Sequence, residues 1–280
     1  MAVYKHYNQQ QLDAQYNNRL HVPDFAAYFE RWEKLSRQTE KEYTVFKDIA
    51  YGSHPLECLD IFPATNANAK TLVFIHGGYW HLLDKNMFHF LAPTFLKQNI
   101  TTVLLNYPLA PSAAMDTIVS SCRNAMLWLQ NNVASYNGNP QQVYVTGHSA
   151  GGHLACMLPM YNDTAFIKAI VSISGLYNLK PVMLSNINTV LQLDEATANR
   201  NSPVCLQPVH QCPLLLAAGS NETDEFKAQS QQMFNSRQHK YDAVKLLCIP
   251  FKNHFSILDA VTENGSPLQS AVFNLMNIEV

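Results

Sequence analysis

The sequence has no long apolar run, no block of like charge and no paired cysteines, and each absence excludes a class of protein. No apolar stretch approaches the roughly 18 residues of a membrane-spanning helix, so no membrane span is expected. The formal net charge is −2 and the basic residues are dispersed, which argues against nucleic acid or an anionic membrane as main partner. The first residues, MAVYKHYNQQQLDAQ, lack the apolar core of a signal peptide, and a cytoplasmic location is expected.

Metal and disulfide patterns are also missing. The six cysteines are scattered without a CxxC pair and mostly lie in apolar runs, which predicts reduced thiols in the core. The eleven histidines form no HExxH motif and do not pair with cysteine at zinc-ligand spacing. We therefore expect neither a metal site nor a cofactor.

Short apolar runs alternate with helix-length segments from Thr71 onward, and this alternation predicts the fold class. The runs are TLVFIH, TTVLLNY, QVYVTGH, AIVSIS, PLLLAAG and VKLLCIP. Such runs are typical of parallel strands that are covered on both faces, so we expect an α/β protein with a mostly parallel central sheet and helices on both faces. Two earlier strands, in YTVFKDIAYG and LECLDIFPA, should begin the sheet in antiparallel pairing. The intervening helices are expected at 86–98, 113–136, from about 150, and at 224–238.

We expect residues 1–280 to form a single domain with two additions. Residues 1–40 read as a helical extension with a helix around 24–37, which either packs over the functional site or mediates a homodimer. Residues 178–208 have helical character and no strong strand, so we expect a small cap over the carboxyl ends of the strands, where ligands of such folds bind.

The strongest motif is Gly147-His148-Ser149-Ala150-Gly151, which lies between the strand QVYVT and the apolar segment HLACML. This strand–turn–helix setting is that of the GxSxG nucleophile elbow of the α/β-hydrolase fold. Ser149 is therefore predicted to be a nucleophile. The N–H of Ala150, at the start of the helix, should help to stabilise an oxyanion.

A second glycine motif, His76-Gly77-Gly78-Tyr79-Trp80, follows the strand TLVFI. In this fold the loop there supplies the remaining oxyanion donors, which we assign to the Gly78–Tyr79 backbone. With Gly152, which directly follows the first motif, these two motifs account for five of the ten glycines. His76 is expected to brace the loop rather than act as a base.

A nucleophilic serine needs a histidine base, and in this fold the order is serine, acid, histidine. Of the histidines after Ser149, His153 lies within the elbow helix, and His210 and His239 are expected to be solvated. His254, in PFKNHFSIL after the last strand, is the predicted base. The acid should follow PLLLAAG, where Glu222, Asp224 and Glu225 compete. Asp224 could instead serve as a helix cap.

The motifs HGGYW, GHSAGGH, SGLYNL, NETDEFKAQS and NHFSIL together resemble the arylformamidase (kynurenine formamidase) branch of α/β-hydrolases, from about Thr71 to about Leu258. The hormone-sensitive-lipase-like esterases usually carry HGGG where this chain has HGGYW. The resemblance implies a triad of Ser149, Glu222 and His254, because the E-x-x-E-F spacing places Glu222 at the acid position. Formamidases often have aspartate there, which leaves the substrate open.

The resemblance implies a serine hydrolase acting on a small-molecule substrate, most of all an arylformamidase of the N-formylkynurenine type. A carboxylesterase on small-acyl esters is the alternative, and a catalytically inactive binding protein is the third hypothesis. Tyr79, Trp80, Phe88 and Tyr177 are expected to wall the pocket, with Trp80 and Tyr177 binding the substrate. No arginine is clearly placed to bind a substrate carboxylate.

Overall fold

One sheet of eight strands forms the centre of the part of the chain that the computed structural model describes, residues 1–238 and 243–278. Its strands are β1 (Phe46–Ala50), β2 (Cys58–Phe62), β3 (Ala69–Ile75), β4 (Thr101–Leu105), β5 (Gly138–His148), β6 (Ile167–Ile173), β7 (Leu214–Gly219) and β8 (Val244–Ile249). They lie in the order β1-β2-β4-β3-β5-β6-β7-β8. The six strands from β3 to β8 pair in parallel, whereas β1 and β2 add an antiparallel edge. The predicted fold class is confirmed.

Helices cover both faces of this sheet. Within the described residues they are α1 (Gln9–Tyr16), α2 (Asn18–His21), α3 (Phe25–Glu42), α4 (Ala92–Leu96), α5 (Met115–Asn132), α6 (Ala150–Met157), α7 (Lys180–Met183), α8 (Asn188–Leu191), α9 (Glu195–Arg200), α10 (Asp224–Arg237), α11 (Asp259–Thr262) and α12 (Pro267–Leu275). Short 3₁₀ segments lie at Lys85–Leu91, Val133–Tyr136, Leu158–Met160, Asn162–Thr164, Pro203–Cys205 and Ser256–Leu258.

Two apolar cores lie on opposite faces of the sheet. Alternate residues of β3 divide between them: Val73 and Ile75 pack into one core, Leu72 and Phe74 into the other. This is the two-residue period of a strand that is buried on both faces. The carboxyl ends of the parallel strands all lie along one edge of the sheet. Loops that follow different strands can therefore meet there.

The structure corrects the helix that was expected over 86–98. The segment divides into the 3₁₀ helix Lys85–Leu91 and the short helix α4, with Pro93 in its first turn. Proline has no N–H to donate to the carbonyl four residues earlier and its ring clashes there, so a continuous α-helix cannot run through Pro93.

The cysteine expectation holds for only part of the set. The thiols of Cys58, Cys122 and Cys156 are buried and free, but Cys205 and Cys248 are exposed. Cys248 is exposed because β8 is an edge strand of the sheet. No described helix combines the length and the hydropathy of a membrane span.

Candidate active site

Ser149 occupies a strained turn between β5 and α6. Its backbone has φ 56° and ψ −119°, a region that residues with a side chain rarely adopt, and its N–H donates to the carbonyl of Ile173 at 2.8 Å. A Cβ at Gly147 would lie 2.1 Å from the carbonyl oxygen of Gly151, and one at Gly151 would lie 1.9 Å from that of Ile75. The turn therefore excludes side chains at both glycines. The serine is presented at the start of α6, where backbone N–H groups lack intrahelical acceptors.

His254 and Glu222 form a hydrogen-bonded pair beside this turn. Nδ1 of His254 donates to Oε2 of Glu222 at 2.9 Å, and both residues are buried. His254 and Ser149 line the same cavity. Because Nδ1 is used by the carboxylate, Nε2 is the ring nitrogen that remains to accept a proton. The structure thus brings together the three residues that the sequence and the resemblance select as a triad.

The competing acidic residues lie elsewhere. The carboxylate of Asp224 is 77% exposed and pairs with Lys227, while Glu225 is buried and pairs with Lys5 at 2.8 Å. The side chain that caps α10 is Thr223, not Asp224. Of the three candidates, only Glu222 contacts His254.

Ser174 is a site residue that the sequence reasoning missed. Its Oγ donates to Oε1 of Glu222 at 2.6 Å, and the backbone N–H of Gly219 donates to the same oxygen at 2.7 Å. Ser174 directly follows β6 and has φ 52°. A polar residue after a buried parallel strand is the signal that could have identified it, because Glu222 follows the neighbouring strand β7 at the same edge.

His148 binds the backbone of the loop that carries His254. Its Nε2 donates to the carbonyl oxygen of His254 at 2.8 Å, and the two imidazole centroids are 4.7 Å apart. Burial, and next the neighbouring His254, place the pKa of His148 well below the usual value. His148 is therefore neutral and does not oppose a positive charge on His254.

The predicted oxyanion loop turns sharply beside the serine. Gly78, Tyr79 and Trp80 all have positive φ, at 105°, 50° and 59°. A Cβ at Gly78 would lie 2.1 Å from the carbonyl oxygen of Leu82, so only glycine fits that position. Gly78 and Tyr79 line the cavity together with Ser149, and Ala150 is the first residue of α6. The buried His76 stacks on Tyr107 with ring centroids 4.5 Å apart.

Trp80 does not line the cavity, and this expectation was wrong. The left-handed backbone turns its indole into the core, where Nε1 donates to Nδ1 of His153 at 3.1 Å. His153 in turn donates from Nε2 to the carbonyl oxygen of Asn201 at 2.7 Å. Trp80 therefore braces the oxyanion loop against α6 and lies outside the cavity lining.

Tyr177 is also in the core, contrary to expectation. Its hydroxyl bonds to Ser172 at 2.7 Å, and its backbone N–H donates to the side chain of Gln229 at 2.8 Å. These two bonds fix the ring beneath the site. Phe88 and Tyr79, by contrast, line the cavity as expected.

The cavity above Ser149 has a volume of about 400 Å³. Its walls come from the amino-terminal extension, the oxyanion loop, the insertion (residues 178–208, the predicted cap) and the loop that carries His254. They comprise Tyr16, Asn17, Asn18, Arg19, Phe29, Trp32, Gly78, Tyr79, His81, Leu82, Leu83, Phe88, His148, Ser149, Asn186, Ile187, Val190, His254 and Phe255. Residues 16–32 thus pack over the site, one of the two roles considered for the extension.

The remaining candidate groups do not add a base or a metal site. His153 lies within α6, and the half-buried His210 contacts Thr164, while His239 lies outside the described residues. Among residues 1–238 and 243–278, no three histidine, cysteine or acidic side chains are grouped as metal ligands.

Comparison with known proteins confirms the resemblance. The chain is 28% identical to a kynurenine formamidase of Salmo salar, over 82% of this chain and 81% of that one. It is 26% identical to a kynurenine formamidase of Danio rerio, over 99% of each chain. A crystal structure from Silicibacter sp. tm1040 superposes with a TM-score of 0.84 at 23% identity, over 93% of this chain and 98% of that one. A family model described as BD-FAE matches residues 59–236, more than half of the sequence, and the chain therefore belongs to the BD-FAE family.

Proposed function

We propose that this chain is a serine hydrolase that cleaves a small aryl amide or ester through an acyl-serine intermediate. The observation that carries the proposal is the hydrogen-bonded Glu222–His254 pair, which shares a cavity with Ser149 on its strained turn. A serine hydroxyl is a weak nucleophile unless a positioned base removes its proton, and this arrangement supplies one.

The first half of the reaction forms the acyl-enzyme. Nε2 of His254 takes the proton of Ser149 Oγ as the oxygen attacks the substrate carbonyl carbon. The carbonyl oxygen becomes an oxyanion, which the N–H of Ala150 and those of the Gly78–Tyr79 backbone stabilise. As the intermediate collapses, the bond from carbon to the leaving nitrogen or oxygen breaks, and His254 returns the proton to the leaving group.

The second half releases the acyl group. His254 takes a proton from water, the hydroxide attacks the acyl carbon, and the ester bond to Ser149 breaks as His254 reprotonates Oγ. Glu222 accepts the Nδ1–H throughout and so maintains the imidazole tautomer and orientation. No step requires a cofactor or a metal ion.

Aryl formamides of the N-formylkynurenine type are the substrates that we propose. Two relatives that match most of the chain bear the name kynurenine formamidase. The cavity offers the aromatic surfaces of Phe29, Trp32 and Phe88, which suit a flat aryl group. The products would then be an aryl amine and formate.

A carboxylesterase on small-acyl esters is the second candidate. The same three side chains would cleave an ester, whose alcohol is the easier leaving group. A cavity of about 400 Å³ leaves room for an acyl group larger than formyl. The two candidates differ in substrate preference and not in machinery.

Measuring kcat/KM for N-formylkynurenine beside p-nitrophenyl acetate, with Ser149→Ala as the blank, separates these candidates. We expect a preference of about a hundredfold or more for the formamide, abolished in the variant. A clear preference for the ester, or no turnover of the formamide, would contradict the formamidase assignment and leave a carboxylesterase.

The setting of the enzyme is part of the proposal. We propose that it acts in the cytoplasm on a small-molecule substrate, and the dispersed charge of the sequence supports a small molecule over nucleic acid or an anionic membrane as partner. The homodimer considered from the sequence stays a prediction, which sedimentation of the full chain measures.

A further inference from the structure

Of the described residues, a single arginine lines the cavity above Ser149. Arg19 belongs to α2, in the amino-terminal extension that packs over the site. No local pattern in the sequence places it there, because some 130 positions separate it from the serine.

Arg19 has no counter-ion among the residues that the structure describes. Throughout the described ranges, its guanidinium contacts neither a carboxylate nor another hydrogen-bond acceptor, and its contacts are with aromatic rings. The other five arginines all reach oxygen acceptors, in the pairs Arg31–Asp259, Arg37–Glu33, Arg123–Asp163, Arg200–Asp116 and Arg237–Pro203. A guanidinium provides five N–H donors in a fork that matches a carboxylate, and here the fork is free for a ligand.

The fixed charge on the cavity wall is positive. Within residues 1–238 and 243–278, none of those that line the cavity is aspartate or glutamate. The pKa of His81, another lining residue, is lowered first by burial and then by the charge of Arg19, which favours its neutral form. Arg19 is thus the fixed charge of the cavity, and its field favours an anionic ligand.

Aromatic packing connects Arg19 to the reaction centre. The guanidinium carbon lies 5.0 Å from the ring centroid of Phe25 and 6.0 Å from that of Phe29. Both rings pack against Phe255, at centroid distances of 6.2 and 5.6 Å, and Phe255 directly follows His254. These cation–π contacts hold the guanidinium without neutralising it.

The segment that carries Arg19 is fixed at its base. The carbonyl of Gln15 accepts from Thr223 Oγ1 at 2.8 Å, and the carbonyl of Tyr16 accepts from the Tyr79 hydroxyl at 2.6 Å. Asn17 then caps α2 with its side chain. The backbone that carries Arg19 is therefore held in a defined position relative to both the loop that carries Glu222 and the oxyanion loop.

We propose that Arg19 is a specificity residue that binds a carboxylate on the leaving-group side of the substrate. This inference rests on the proposed function, since it assigns a substrate class to the same site. A formyl group carries no charge, so the carboxylate of a formamide substrate belongs to the aryl amine. The favoured substrate class is then an aryl amide or ester whose aryl part bears a carboxylate, and its neutral counterpart binds less well.

The test compares matched charged and neutral substrates in Arg19→Gln. The formamide pair is N-formylkynurenine and its carboxamide, and the ester pair is 4-(2-acetoxyphenyl)-4-oxobutanoate and its carboxamide. We expect the variant to lower kcat/KM for the carboxylates by about tenfold to a hundredfold, mainly through KM, and to leave the carboxamides unchanged. Arg19→Lys keeps the charge but loses the fork, and should lie in between.

Arg37→Gln is the matched control, because Arg37 is an exposed residue of α3 that pairs with Glu33 away from the cavity. It should change neither rate. An equal fall for charged and neutral substrates, or no change for either, would overturn the inference. If Arg19→Gln loses its cooperative melting transition, the same comparison is made with Arg19→Lys and with added salt. Salt should raise KM for the carboxylates alone.

The ester pair separates this inference from the proposed function. If the wild-type protein does not cleave the formamides, the formamidase proposal fails. A selective effect of Arg19→Gln on the charged ester would still support carboxylate binding. If the formamides are cleaved but Arg19→Gln affects both members of each pair alike, the formamidase proposal stands and the Arg19 inference is wrong.

Discussion

At the scale of single residues, Ser174 positions the carboxylate of Glu222, the acid of the proposed triad. Its hydroxyl donates to Oε1 of Glu222 at 2.6 Å, so Ser174→Ala removes one of the two donors on that oxygen. Hydrogen bonds to charged groups contribute on the order of 1.5–3 kcal/mol, and we expect kcat to fall about tenfold while KM changes little. Steady-state kinetics on the preferred substrate measures this split.

Ser172→Ala is the matched control for that variant. Ser172 lies two residues earlier on β6 and its hydroxyl bonds to Tyr177, not to the acid. The control should lose about 1 kcal/mol of unfolding free energy and retain its kcat. Equal activity losses in the two variants would show that Ser174 acts through general stability and not by positioning Glu222.

Some site residues could be predicted from the sequence, and others were predicted in the wrong place for a physical reason. Ser149 was predictable because the glycines on both sides of it mark a sharp turn, in which a side chain at either glycine would clash with the backbone. Trp80 and Tyr177 were misplaced because the direction of a side chain depends on backbone torsions that a motif does not display. Arg19 was missed because its position depends on how the amino-terminal extension packs, and no local pattern encodes that contact.

At the scale of elements, His153 joins the oxyanion loop, α6 and the insertion through bonds to Trp80 and Asn201. Burial lowers its pKa from 6.5 to about 4. Between those two pKa values the unfolded chain binds more protons than the folded protein, so this group makes stability rise with pH over that interval and adds no slope above it.

His153→Gln should remove this pH dependence. Glutamine can accept from Trp80 and donate to Asn201 but does not titrate. From about pH 7 to about pH 4, protonation of this histidine in the unfolded chain should lower the unfolding free energy of the wild type by on the order of 2–3 kcal/mol. The variant should not show this loss. Urea unfolding across that range measures it, with His6→Gln at an exposed histidine as control. Parallel profiles for wild type and His153→Gln would contradict the account.

The elements themselves follow from local sequence more completely than the site does. The central strands were predictable because continuous burial leaves apolar runs that turns interrupt, whereas the edge strands β1 and β8 are largely exposed or half-buried. The helix expected over 86–98 failed at Pro93, where an apolar pattern continues through a residue that cannot join the backbone ladder. Periodicity indicates which face is buried, whereas backbone chemistry decides whether the helix continues.

At the scale of the whole molecule, the site is assembled from segments that are distant in sequence. Loops after β3, β5, β6, β7 and β8 meet at one edge of the sheet, and the amino-terminal extension covers them. The mostly parallel sheet with its antiparallel start and the family resemblance could be predicted from the sequence. The shape and charge of the cavity could not, because they depend on the packing of residues 16–32 and of the insertion.

The central claim is that Ser149 is a nucleophile activated by His254, and covalent labelling tests it most directly. A fluorophosphonate probe should modify the wild-type protein at Ser149, as located by mass spectrometry of its peptides. Ser149→Ala should not be labelled, and His254→Ala should be labelled far more slowly although it unfolds cooperatively. Absence of labelling on folded wild-type protein, or labelling at the same rate without His254, would contradict the account and favour a binding protein that retains only the fold.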